Sequence, residues 1–330
     1  MAEKAPVWVL LGQRTGDNNQ LLRLANELGE PFRTIELGYN SVSRIPPRLL
    51  GTTFASIDEG SRARIGPPWP ALVLGIGNRS VPAALAIRRL SGGEAKLVRL
   101  GRPRLDPRNF DLVITTPQYG VPDAPNVIRL AVGIGTAQRL ESNRVETEWL
   151  GKLPRPHRLF LIGGNTFMWA LSPQTLADTA TALKRKCESD GGSVIAVSSP
   201  RSSQPVLDSV AAVLRGSVHG LVWGGFPRYP VLLEDADELY VTADSVAMIS
   251  DAVATGKPIG LIAPEETSSG RFFYGLARLG LPVPVRDIRR FWESVRSKGL
   301  AGTVEEPVAG ELSRDPLATA VAAVRSLLKN

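Results

Sequence analysis

A single cysteine, Cys187, serves the whole chain of 330 residues. No intrachain disulfide can form, which fits a reducing compartment. With no histidine or asparagine placed by sequence to activate it, Cys187 is also unsupported as a nucleophile. Histidine is almost as scarce. His157 and His219 stand far apart, with no cysteine or paired carboxylate at ligand spacing, so no metal site is expected. No uninterrupted apolar run of about 18 residues occurs, and no transmembrane helix is expected. A strand begins near Val7, which leaves no room for a signal peptide, and a cytoplasmic location is the expectation. Aromatic content is 6% and no block of like charges appears, so nucleic acid is set aside as a partner. The chain has no G-x-x-x-x-G-K-[ST] run and no G-x-S-x-G elbow, which excludes a P-loop nucleotidase and leaves an α/β-hydrolase unsupported. The G-x-G pieces at Gly75/Gly77 and Gly133/Gly135 lack the third glycine of the dinucleotide fingerprint.

What is present describes an ordinary globular protein: 43% hydrophobic and 22% charged residues, long enough for two domains. The formal net charge of +7 favours acidic partners such as nucleotides, phosphorylated substrates or an anionic membrane face; a merely basic surface is the bland alternative. Short apolar strands alternate with amphipathic helices from Val7 onward, and Thr136–Leu150 reads as helical. Lys152-Leu153-Pro154-Arg155-Pro156 reads as a linker, after which the rhythm restarts at Arg158. The pattern predicts an α/β protein with parallel sheets. Its expected parts are an N-terminal Rossmann-like domain (1–153), a second one (154–310), and a C-terminal helix (311–330) that packs back on the first.

Polar residues gather where strands meet helices. In the first half the turn holds Gly12, Arg14 and Gly16, followed by Asp17, Asn18 and Gln20. Glycines there let backbone approach a phosphate, and Asp17 can act on a substrate or simply cap the next helix. In the second half Gly163, Gly164 and Asn165 follow a strand. Ser199 and Arg201 close another, where an arginine can grip a diphosphate. Thr242, Asp244 and Ser245 close a third, at a helix start suited to an anion. Asp251 lies about two turns into that helix, and Glu265 closes the strand after it. Asp235-Ala236-Asp237 has a D-x-D form, but it precedes a strand, and a helix C-terminal turn is the ordinary explanation.

The segments WVLLGQRTGDNNQLLRLANELG, VSSPRS and LYVTADSVAMISDAVATGKPIGLI resemble the plant mitochondrial fission adaptors (the elongate-mitochondria family) and their bacterial relatives, over nearly the whole chain. That family is in turn similar to two-domain GT-B glycosyltransferases, including the enzyme that adds N-acetylglucosamine to the lipid-linked peptidoglycan precursor. The resemblance implies a cleft between two domains. It implies that the turn at Gly12–Gly16 faces an acceptor, with Asp17 as the base. It implies that Gly163 and Gly164 open the donor domain, that Ser245 meets the donor diphosphate and that Asp251 meets its ribose. Two departures stand out: the peptidoglycan enzyme uses histidine where this chain has Asp17, and its Gln-rich sugar-reading loop is replaced by Glu265-Glu266-Thr267-Ser268-Ser269-Gly270.

Two functions follow as expectations. One is a metal-independent glycosyltransferase, peripheral at the inner membrane, with no cofactor, a nucleoside-diphosphate sugar as co-substrate, and an acceptor left open between lipid-linked and other envelope molecules. The other is a non-catalytic adaptor on a GT-B-like shell. Another nucleotide-dependent reaction, such as epimerisation of the donor sugar, stays open.

Overall fold

The computed structural model describes residues 7–135, 140–279, 281 and 286–329. Two compact units divide the chain: Met1–Thr136 with Arg314–Asn330, and Ala137–Ser313.

The first unit alternates β1 (Val7–Leu11), α1 (Thr15–Leu28), β2 (Phe32–Glu36), α2 (Pro47–Leu50), α3 (Glu59–Ala63), β3 (Leu72–Ile76), α4 (Val81–Leu90), β4 (Lys96–Leu100), β5 (Leu112–Thr115) and β6 (Val127–Arg129). The described strands pair in the order β2-β1-β3-β4-β5-β6, every pair parallel. All five residues of β1 are buried, as a strand covered on both faces requires. On one face Val9, Leu74, Val98 and Ile114 meet Leu21, Leu24 and Leu28 of α1. On the other, Trp8, Leu10, Val73, Leu97 and Val113 meet Val81, Ala84 and Ile87 of α4. Gly29, at φ 70°, supplies the left-handed residue that ends α1.

The second unit contains α5 (Arg144–Leu150), β7 (His157–Ile162), β8 (Trp169–Ala170), α6 (Pro173–Asp190), β9 (Ser193–Ser198), α7 (Gln204–Leu214), β10 (Gly220–Val222), α8 (Tyr229–Asp235), β11 (Glu238–Thr242), α9 (Val246–Val253), β12 (Ile259–Ile262), β13 (Glu265–Glu266), α10 (Ser268–Arg278) and α11 (Arg289–Ser297). Its main sheet runs β10-β9-β7-β11-β12, again parallel throughout, and β8 pairs antiparallel with β13. Among the described residues no helix is long and apolar enough to cross a membrane.

The partition falls at 136/137, whereas the prolines around 154 suggest a boundary at 153/154. The cause is Glu146 on α5. Its buried carboxylate accepts from the Arg228 backbone N–H (3.1 Å) and from Arg228 Nη2 (2.6 Å), which ties α5 to the segment entering α8. Of the helix expected over Thr136–Leu150, residues 144–150 are helical and 136–139 lie outside the described residues.

The chain's last helix, α12 (Pro316–Lys329), belongs to the first unit. Leu317, Ala320, Val321 and Val324 recur at i, i+3, i+4 and i+7, forming one apolar stripe that joins the α1 core. Arg325 Nη2 donates to the Glu27 and Leu28 carbonyls at the end of α1 (2.9 and 3.2 Å). Burial should outweigh that exposed cation. Leu24→Ala is expected to cost about 3 kcal/mol, and Arg325→Ala less than about 1 kcal/mol. Urea unfolding of the full chain, read by hydrogen exchange of α1 amides, checks this; equal losses would mean that charge, not apolar contact, docks α12.

Candidate functional site

Open parallel sheets bind ligands at the carboxyl ends of their strands, in the crevice where strand order reverses. In the second unit that place lies between β7 and β11. There the two strand ends are stitched together. Gly163 N–H donates to Thr242 Oγ1 (2.7 Å), Gly164 N–H donates to Asp244 Oδ2 (3.0 Å), and Thr242 Oγ1 donates to Asp244 Oδ1 (2.8 Å). Arg201, in the loop after β9, donates Nη2 to Asp244 Oδ2 (3.0 Å) and Nη1 to the Gly164 carbonyl (3.1 Å). Both glycines are required by the fit. A Cβ on Gly163 would strike the Asp244 carboxylate, and one on Gly164 would strike the Arg201 backbone.

Gly163, Gly164, Arg201, Thr242 and Asp244 thus converge, but the turn works differently from expectation. The Gly163 and Gly164 amides are not free diphosphate donors, because Thr242 and Asp244 already accept from them. Asp244 is a built-in anion with its side chain 1% exposed, while Arg201 keeps 46% of its side chain in solvent. Ser199 Oγ accepts from Arg201 N–H (3.3 Å) and shapes the loop. Asn165 Oδ1 accepts from Leu171 N–H (2.8 Å). Ser245 is the N-cap of α9, its Oγ accepting from Met248 N–H (3.4 Å). The amides of Val246 and Ala247 come next and have no acceptor within the helix. Asp251 is buried on α9; burial, then the Asp251 charge, pushes the Tyr229 phenol up. Glu265 Oε1 accepts from Thr175 Oγ1 of α6 (3.4 Å). Asp235 is the last residue of α8, as the helix-end explanation of the D-x-D requires.

In the first unit, Asn18 closes the loop after β1 on itself. Its Oδ1 accepts from Gly12 N–H (2.8 Å) and its Nδ2 donates to the Gly12 carbonyl (2.9 Å). The helix begins at Thr15, two residues earlier than expected, with exposed Arg14 at the N-cap and no side-chain cap. Asp17 is therefore a first-turn residue and not the cap. Gly16 is also helical, and a Cβ there would meet open space. Gln20 Nε2 reaches the Gly16 carbonyl at 3.4 Å.

Sequence reasoning missed Arg99. It lies on β4 among apolar neighbours and is 1% exposed. Burial lowers its guanidinium to about 10, against the opposing pull of nearby Tyr39. The available signal was one arginine at an inward position of Lys96-Leu97-Val98-Arg99-Leu100.

A family profile described as Mitochondrial fission ELM1 matches residues 15–314. The chain belongs to the mitochondrial fission ELM1 family. Mitochondrial fission protein ELM1 of Arabidopsis thaliana is 24% identical over 226 residues, covering 59% of this chain and 52% of that protein. The chain thus spans about half the length of that relative. An uncharacterized protein of Rickettsia prowazekii (strain Madrid E), RP120, is 21% identical over 304 residues, covering 80% of this chain and 84% of that one. Among solved structures, the UDP-GlcNAc 2-epimerase of Methanocaldococcus jannaschii matches with a TM-score of 0.55 at 11% identity, over 98% of this chain and 100% of that one. The Neisseria meningitidis UDP-GlcNAc 2-epimerase bound to UDP-GlcNAc matches with 0.52 at 13% identity, over 98% and 100%. The shared feature is the fold: this ELM1-family chain is an α/β protein of GT-B-like architecture with two Rossmann-like units.

A cavity of about 850 Å³ opens elsewhere in the second unit, where β7 begins, lined by Leu153, Arg155, His157, Val231 and Asp235 among others. It lies at the amino ends of the strands, away from the crevice that such sheets use, and Arg155, His157 and Asp235 pair among themselves and with Asp237. Arg155 Nη1 reaches Asp237 Oδ2 (2.7 Å) and Nη2 reaches Asp235 Oδ1 (2.5 Å). His157 Nδ1 lies 2.5 Å from Asp235 Oδ2, and Nε2 lies 3.1 Å from the Leu153 carbonyl. Both ring nitrogens face acceptors, so the imidazole must donate twice and carry charge. Burial opposes that charge, but the bonds to Asp235 and Leu153 and the Asp235 charge together raise His157 above its ordinary 6.5. Burial likewise opposes the Asp235 charge, and His157 and Arg155 still hold it below its ordinary range. The His157 contribution is complete below 6.5 and is lost as pH rises through the raised value. The Asp235 contribution is present above the ordinary carboxylate value and is lost on strong acidification. Thermal melts across about pH 5 to 9 should show stability falling as the pH rises from 6.5 through the raised His157 value, and His157→Gln should flatten that fall. An identical slope in the variant would disprove the charged pair.

Proposed function

We propose that the second unit binds the diphosphate of a nucleoside-diphosphate sugar and that the protein is a metal-independent glycosyltransferase. The observation that carries this reading is the convergence, at the strand-order reversal, of half-exposed Arg201 with the start of α9. A cation and a helix N-terminus together favour a phosphate group. Fixed dipoles and Arg201 would stabilise the departing nucleoside diphosphate. Asp17 is the proposed base for the acceptor hydroxyl, and Asp251 the proposed ribose contact. The bound UDP-GlcNAc of the Neisseria structure makes a UDP-sugar the first class to test. The +7 charge supports an acceptor on an anionic membrane face.

Asp244 favours a second reading. Seated against the Gly163–Gly164 turn, it accepts from Gly164 N–H and from Thr242, whose Oγ1 accepts from Gly163 N–H, so amides that a diphosphate would otherwise use are taken. A site so satisfied suits an adaptor that keeps the shell and has lost the ligand.

Calorimetric and thermal-shift titrations with UDP, UDP-GlcNAc and other nucleoside diphosphates separate the two. At about 100 times the dissociation constant, a bound nucleotide adds about 2.7 kcal/mol of stability. Arg201→Ala should weaken that binding by about tenfold or more, while Asp17→Ala leaves binding intact and removes transfer. No shift with any nucleotide would end the transferase reading and leave the adaptor.

A further inference from the structure

In the first unit the strand-order reversal lies between β1 and β3. β3 runs into Gly77, at φ 70°, and then through Asn78, Arg79 and Ser80 into α4. Among the described residues, no group accepts from the amides of Asn78, Arg79 or Ser80, although Gly77 N–H and Val81 N–H are both bonded. Three successive amides in a turn at a helix start form a concavity for an anion.

Arg99 lies directly beneath. Its Nη2 donates to the Gly77 carbonyl and to Ser80 Oγ (3.1 Å), and its Nε and Nη1 have no hydrogen-bond partner. Gly75 makes room for it, since a Cβ there would strike Nη1. Among the described residues no carboxylate pairs with Arg99. Arg79 adds a second cation at the rim, its Nη1 donating to Gln13 Oε1 (3.2 Å). A guanidinium does not shed its charge in a protein, and a helix start is the end at which a cation is disfavoured. The second unit shows how such a place is completed from within: there Asp244 accepts from the backbone and pairs with Arg201. The first unit has the same kind of donors and no built-in acid.

We propose that the turn Gly77–Ser80, backed by Arg99, is a phosphate-binding site of the first unit. Three amides, with Arg79 at the rim and the charge of Arg99 beneath, match the terminal oxygens of a phosphoryl group. The charge of Arg99 reaches the anion through Ser80 and Gly77 in a medium of low dielectric. The site is independent of the nucleotide reading, because its residues belong to the other unit.

The test is a titration of the isotope-labelled full chain with inorganic phosphate and, in a parallel arm, phenyl phosphate. The amide resonances of Asn78, Arg79 and Ser80 should move and saturate in both arms if the site takes the phosphoryl group of a larger molecule, and with inorganic phosphate alone if it takes the free ion. Arg99→Met should weaken phosphate, as read by these three amides, by about tenfold or more. Arg201→Ala should leave the response of these three amides unchanged. Stationary amides at 78–80 in the wild-type chain overturn the proposal without recourse to any variant. So does a response of these amides that is undiminished in Arg99→Met.

Discussion

The constraint behind both units is topological. When crossovers leave the first strand of a parallel sheet in opposite directions, two neighbouring strands send their following segments to opposite faces and a crevice opens at their carboxyl ends. Backbone amides and helix starts then face that crevice whatever the side chains are. An anion must come from somewhere to meet them. In the second unit it is Asp244, an internal carboxylate held by Gly164 N–H, Thr242 and Arg201. In the first unit, Asn78, Arg79 and Ser80 offer their amides and Arg99 its charge, with no acid of the described chain in answer.

That contrast explains why local sequence carried the fold so well and the site only in part. β1, β7 and β11 are mainly apolar segments of strand length, α6 and α7 have apolar faces and α6 a capped start, and each reads from its own residues. So does the gathering of Gly163, Arg201, Thr242 and Asp244, since all follow strands of one sheet. What no single segment reveals is which donor meets which acceptor. Gly163 and Gly164 read as open phosphate donors because Thr242 and Asp244 lie 79 and 80 residues away. The same distance in sequence hides the pairing of Glu146 with Arg228, which pulls α5 into the second unit although the prolines near 154 have the composition of a boundary. The start of α1 is hidden more locally. The helix starts at Thr15 because Asn18 folds its side chain back onto Gly12 and closes the loop early.

Buried charge sorts the remaining polar residues into structural and chemical. Arg158, in β7, is as inaccessible as Arg99, yet it pairs with Asp190, with Glu238 (3.0 Å) and with the Cys187 sulfur (3.2 Å). It is a satisfied cation, and breaking it would leave charges unpaired without opening a site. Arg99 has the same burial and the same type of strand position, and it lacks the acids. Two arginines that look alike in sequence therefore differ in one respect that matters: the described residues supply the counter-charge for one and not for the other.

Asp244 bears on whether this shell is an enzyme. A nucleoside diphosphate approaching Arg201 must share that cation with a carboxylate already in place, so part of the attraction is spent before it arrives. The start of α9 is not shared in this way, and its first two amides remain outside the Asp244 network. The diphosphate would then rest chiefly on backbone dipoles, with the arginine at its flank. An adaptor needs none of this, but it would also have no reason to keep Arg201 half in solvent when Thr242 and Asp244 already accept from both amides of the turn. The exposed half of that side chain is the feature that a purely structural account leaves without a purpose.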